Sequence, residues 1–177
     1  MTEQPRADEL DRRKFLKAGT ASAILVVSGA IVHTGEAWGL EAKALEPSSL
    51  RTLIRMSRDI YPHDRVPDQH YALAVKALDD KAAKDAETRT ALESGVRQLD
   101  EAATKAHGAP YALVAWERER VDLLRAIEQD AFFQTVRGNL VVGLYNQKDV
   151  WPIFGYEGES FSKGGYINRG FDDITWL

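Results

Sequence analysis

Apolar residues recur at helical spacing through most of this chain. After Pro47, the residues Leu50, Leu53, Ile54 and Ser57 fall at i, i+3, i+4 and i+7, the mark of one helix face. Pro47 and Ser48 supply the start signals. The stretch "YPHDRVPD" at 61–68 carries two prolines and ends that helix. Pro67 stands where a first helical turn accepts it, and Tyr71, Ala74, Val75 and Leu78 repeat the spacing. Over 85–107 the face is Leu92, Val96, Leu99 and Ala103, closed by Gly108 and Pro110. Residues 111–128 carry Leu113, Val114, Val121 and Leu124, and 131–146 carry Phe133, Val136, Leu140, Val141 and Leu144. Five helices with short joins predict a compact all-α bundle over 38–147. No strand pattern of useful length and no internal repeat interrupts it.

The character changes near Lys148. The last stretch reads "WPIFGYEGESFSKGGYINRGFDDITWL". Seven aromatics and five of the 13 glycines lie in 151–177. That is too apolar for a disordered tail and too Gly-rich for a helix. The pattern predicts an ordered coil over 148–177 that wraps the bundle, docks on another protein, or both. Trp151 and Phe154 follow the last helix closely and are assigned mainly to the bundle. Phe161, Tyr166, Arg169, Phe171 and Trp176 lie further out among glycines and are the candidate interface anchors, since a few aromatic and Arg side chains dominate most contacts between proteins.

The other end is patterned differently again. "DRRKFLK" at 11–17 precedes the weakly apolar run "AGTASAILVVSGAIV". Arg12 and Arg13, with Phe15, Leu16 and Lys17 behind them, match a twin-arginine export signal, which the twin-arginine translocase reads. About 15 apolar residues fall short of the ~20 that a spanning helix needs. Residues 1–37 are therefore expected to be a cleavable signal. Cleavage follows Ala37, the preferred position, or comes as late as Ala44, and the expected location is the periplasm. That route carries folded proteins, usually because a cofactor is loaded first.

Composition narrows the options. The formal net charge is −4, and it stays there when residues 1–37 are removed. A mildly acidic protein does not attract nucleic acid or an anionic membrane surface. There is no cysteine, so disulfides, thiolate metal sites and covalent haem are excluded on this chain.

Three constellations are candidates for chemistry. His63, Asp64, Asp68 and His70 lie within eight residues, but without a recognised ligand spacing, and an exposed loop with Asp68 as a helix cap explains them more simply. Glu117 and Arg137 each interrupt an apolar stripe, and ionised groups on buried faces must pair. Their helices are consecutive, so a structural Glu117–Arg137 ion pair is expected. Asp172 and Asp173, with Asn168 and Arg169, form a polar patch that lacks a nucleophile or base to work with. No catalytic or metal-binding residue is assigned.

Three stretches resemble the gluconate 2-dehydrogenase subunit 3 family. They are "RRKFLKAG" near the start, "IYPHDRVPD" at 60–68, and "NLVVGLYNQKDVWPIFGYEGESFSKGGYINRGFDD" at 139–173. The last carries most of the weight, whereas residues 80–130 match only in helical character. The resemblance implies a non-catalytic small subunit. Its partner would be a glucose–methanol–choline-type FAD oxidoreductase acting on a sugar, sugar acid or glycoside. Electrons would pass to a c-type cytochrome, so FAD and haem c would sit on other subunits, and membrane association would come through the complex. It also implies that the flavin subunit lacks a signal of its own and is exported with the small one. Two other classes stay open from the residues alone: an independent periplasmic helical ligand-binding protein, and a small enzyme using the Asp172/Asp173 patch or the His63–His70 loop.

Overall fold

A computed structural model describes residues 42–167. Among the described residues there are five α-helices and no strand: α1 Pro47–Ile60, α2 Asp68–Ala82, α3 Ala86–His107, α4 Glu117–Ala126 and α5 Ala131–Gly143. Short 3₁₀ turns lie at Tyr111–Leu113, Trp151–Phe154 and Phe161–Lys163. The predicted all-α class is the observed one.

Each helix end has a physical cause. Pro47 opens α1 at a position where its missing N–H costs nothing. The preceding Glu46 makes no side-chain cap. Glu93 on α3 does that work from another helix, accepting from the Glu46 N–H at 2.8 Å and the Ser49 hydroxyl at 2.6 Å. Asp85 caps α3 through the N–H groups of Glu87 and Thr88, at 3.2 and 3.1 Å. Gly108 closes α3 at φ 74°, a left-handed conformation that glycine adopts without a Cβ penalty.

Helix α2 is central and packs on α1, α3 and α5. Tyr71, Ala72, Ala74, Val75 and Leu78 are buried on it. The α5 backbone comes close because Gly143 faces Ala74: a Cβ on Gly143 would lie 3.2 Å from the Ala74 Cβ. Asn139 Nδ2 donates to the Ala74 carbonyl at 2.8 Å along the same seam. On the far side Gly95 of α3 makes room for Phe132, whose ring would stand 2.2 Å from an added Cβ. The core joins Leu53 and Met56 of α1 to Leu92, Val96 and Leu99 of α3 and to Val136 and Leu140 of α5. Each such side chain, fully buried, contributes ~1.5–3 kcal/mol.

One predicted element is broken. The expected helix over 111–128 is a 3₁₀ turn, an extended step at Val114 and then α4. Arg120 is the reason. Its Nη1 donates to the Val114 and Ala115 carbonyls at 2.8 and 3.2 Å, and these are acceptors that a continuous helix would have used for itself. The break leaves Val114 buried but turns Leu113 outward, 54% exposed.

Candidate interaction surface

The site forms where the loop after α1 meets the chain after α5. Arg58, in the last turn of α1, straps that loop. Its Nη1 donates to the Val66 carbonyl at 2.7 Å, lies 3.1 Å from Asp68, and its guanidinium stands 5.1 Å from the Tyr71 ring centroid. Val66 is consequently buried. The Tyr71 hydroxyl donates to the Tyr61 carbonyl at 2.5 Å and accepts from the His63 N–H at 3.3 Å. Asp68 therefore pairs with Arg58 instead of capping α2, whose N-cap is Pro67.

The two histidines of this segment face different partners. His63 Nε2 lies 2.6 Å from the Tyr145 hydroxyl. Burial, with Arg58 nearby, pushes the His63 pKa below its ordinary value, which favours the neutral ring in this contact. His70 is buried, with Nδ1 2.7 Å from Gln147 Oε1. Gln147 Nε2 donates to the carbonyls of His70 and Gly143. That assigns the amide orientation and makes Nδ1 of His70 the proton-bearing nitrogen. Gln147 thus ties the end of α5 to the start of α2. Among the described residues no group of three or more His, Asp or Glu is placed to hold a metal.

Tyr145 also meets Tyr61 edge-on at 5.5 Å, while Phe154 packs on His63 at 4.9 Å and on Tyr145 at 5.7 Å. This aromatic cluster fastens the first part of the predicted coil to the body, as does the fully buried Val150. Trp151 then organises the coil itself. Its Nε1 donates to the Tyr145 carbonyl at 2.8 Å, and its own carbonyl accepts from the Tyr156 N–H at 2.9 Å. The Tyr156 ring stands edge-on to it at 5.2 Å, and the Lys148 ammonium is 5.8 Å from its centroid. Gly158, at φ 97°, lies under the indole, where a Cβ would come within 3.3 Å of the ring. Lys163 closes the loop on the Glu157 carbonyl and, at 3.4 Å, on its carboxylate. Past this knot the apolar side chains turn outward: Phe161 is 93%, Tyr166 64% and Ile167 84% exposed.

Phe161 and Tyr166, expected as interface anchors, are exposed. Trp151, expected to belong mainly to the bundle, is half-buried against the Tyr145 carbonyl, Tyr156 and Lys148, and Phe154 keeps 43% of its surface exposed while packing on His63 and Tyr145. Arg169, Phe171 and Trp176 lie outside the described residues. So do Asn168, Asp172 and Asp173, and the signal residues Arg12, Arg13, Phe15, Leu16 and Lys17.

The expected Glu117–Arg137 pair is corrected. Both residues are exposed, and no ion pair or hydrogen bond joins them. Glu117 is the first residue of α4, where a negative charge suits the helix dipole, and Arg137 points away from the buried Val136 and Leu140. The buried ion pair is Asp59 of α1 with Arg120 of α4. Arg120 Nε reaches Oδ2 at 2.7 Å and Nη2 reaches Oδ1 at 2.9 Å. The Tyr111 hydroxyl adds a third bond to Oδ2 at 2.7 Å. Asp59 holds the Arg120 pKa up, and burial raises that of Tyr111 further. A sequence signal existed: Asp59 follows Met56 by three residues and Arg120 precedes Leu124 by four, so each falls on its helix's buried face.

The fold is a compact all-α one among the described residues, with Phe161, Tyr166 and Ile167 exposed on the chain that follows it. Comparison with protein-family models, curated proteins and solved structures gives no match. Among the described residues no helix is long and apolar enough to cross a membrane.

Proposed function

We propose that this chain is the non-catalytic small subunit of a periplasmic FAD-dependent dehydrogenase of the glucose–methanol–choline type, acting on a sugar, sugar acid or glycoside. It assembles with the flavoprotein and carries it through the twin-arginine translocase. A c-type cytochrome then accepts the electrons. The observation that carries the reading is the exposure of Phe161, Tyr166 and Ile167 on a coil held in place by Trp151. Large apolar side chains left exposed close together in the sequence favour an interaction surface. The export signal at Arg12 and Arg13 and the resemblance over 139–173 supply the kind of partner. The folded cargo that needs this route is then the FAD-loaded subunit.

Co-expression with a signal-less flavin oxidoreductase encoded beside this chain tests the proposal. The expected result is co-purification with a flavin absorption spectrum, and loss of both proteins from the periplasm when Arg12→Lys and Arg13→Lys are combined. A flavoprotein that reaches the periplasm with that double variant overturns the escort role. A neighbour that never co-purifies overturns the subunit assignment.

A further inference from the structure

The first described residues are gripped by one buried carboxylate. Asp79 of α2 is 1% exposed. Its Oδ2 accepts from the Lys43 N–H at 2.7 Å, and its Oδ1 accepts from the N–H groups of Ala44 and Leu45 at 2.9 and 2.8 Å. Three consecutive main-chain donors converge on a single side chain. Lys43 adds a second tie through its ammonium, 2.6 Å from Asp80. Leu45 is buried in the core cluster. The small-residue triplet Ala42-Lys43-Ala44, one of the two cleavage positions that the sequence offers, thus lies inside a hydrogen-bonded strap.

We propose that Asp79 closes the Ala44–Leu45 bond to processing, so that removal of the leader falls on the N-terminal side of Lys43 and the strap stays in the mature protein. A peptidase needs an extended, accessible backbone on both sides of the bond it cuts, so a hydrogen-bonded segment must first open locally. A chain exported folded meets the peptidase with Lys43–Leu45 already held. A cut after Ala44 would also remove two of the three donors and convert the Leu45 nitrogen into a terminal ammonium at the edge of the core. The processing half of this inference rests on the export reading; the closure of the strap does not.

Two measurements test it separately. Trypsin cuts after lysine, so Lys43–Ala44 reports directly on the strap. In the full-length folded protein this bond is expected to be cut at least ~100-fold more slowly than in a synthetic peptide of residues 38–50, the protection of a segment that must open before cleavage. Asp79→Asn, which keeps the size of the side chain but loses one acceptor and the charge, should speed the cut at least tenfold while circular dichroism stays helical. Should that variant unfold, the comparison of wild-type protein with peptide still decides. Equal rates for protein and peptide would overturn the proposal. The second measurement is intact mass and N-terminal sequencing of the exported chain. An N-terminus on the N-terminal side of Lys43 supports the proposal, and Leu45 as first residue overturns it. A chain that stays in the cytoplasm counts against the export reading, with the trypsin comparison still deciding the strap.

Discussion

Two regions of this molecule use aromatic residues in opposite ways. In the helical body Tyr71 and Tyr111 are fully buried, and each hydroxyl has a partner: the Tyr61 carbonyl for one, the Asp59 carboxylate for the other. Among the described residues of the C-terminal coil, Trp151 is half-buried with its indole N–H satisfied, Phe154 and Tyr156 keep about half their surface while packing on neighbouring rings, and Phe161 and Tyr166 face outward. In the body the buried Asp59 is paired with Arg120, and the buried Asp79 is met by backbone N–H groups. The coil beyond Trp151 instead leaves Phe161, Tyr166 and Ile167 exposed.

The largest effect is expected from opening the body. Asp59→Ala would leave Arg120 buried without its counter-charge and cost ~3–5 kcal/mol, read as a lowered thermal midpoint. Combining Asp59→Leu with Arg120→Met should recover much of that loss. If the pair were incidental, Asp59→Ala would behave like a surface change. In the coil, Trp151→Ala removes a half-buried ring, and roughly half of the ~3–5 kcal/mol for a fully buried one gives ~2 kcal/mol. Because the loss is local, hydrogen exchange and proteolysis over 152–167 should rise while the body melts nearly as before. A collapse of the whole domain would erase the distinction between the two regions.

Phe161→Ala and Tyr166→Ala sharpen it further. Neither should move the melting of the isolated chain, yet on the proposed function each should weaken capture of the flavoprotein partner about tenfold, ~1.4 kcal/mol. Wild-type capture by both variants would move the interface elsewhere. A smaller effect sits at the junction of body and coil. Burial and Arg58 keep the His63 pKa below its ordinary value, so the unfolded chain takes up the proton first as pH falls. The stability contributed by neutral His63 is complete above the unfolded pKa of ~6.5 and is lost as pH drops from there through the lower folded value. His63→Phe should flatten that part of a plot of melting temperature against pH. Least of all, Glu117→Ala and Arg137→Ala should each change stability by no more than ~0.5 kcal/mol, as exposed residues away from special features do. Larger single losses that fail to add in the double variant would restore the pairing that the structure contradicts.

How much of this was legible beforehand differs by region. Helices α1, α2, α3 and α5 follow from the spacing of apolar residues, and the C-terminal end of α3 from Gly108, because these are local effects acting over a few residues. The coil's half-buried Trp151 and exposed Phe161 were legible as well, from the glycines that separate them. The buried pair was not. Glu117 follows from a single helical register through 111–128 and Arg137 from the stripe over 131–146; the break at 114–116 changes which positions of α4 face inward. That break depends on Arg120 reaching carbonyls behind it while Asp59, 61 residues away in sequence, neutralises its charge.

The sequence by itself determined the all-α class, the number of helices, the C-terminal end of α3 and the change of character near Lys148, since propensity, periodicity and capping are properties of neighbouring residues. Only the tertiary structure decided which charges are buried, that Glu93 caps α1 from another helix, that Gln147 sets the tautomer of His70, and that Asp79 holds the strap at Lys43–Leu45. Each of these is a hydrogen bond between side chains and backbone groups far apart in the chain. Its geometry exists only once the helices have packed, and a buried polar group's need for a partner does not say which distant residue will meet it.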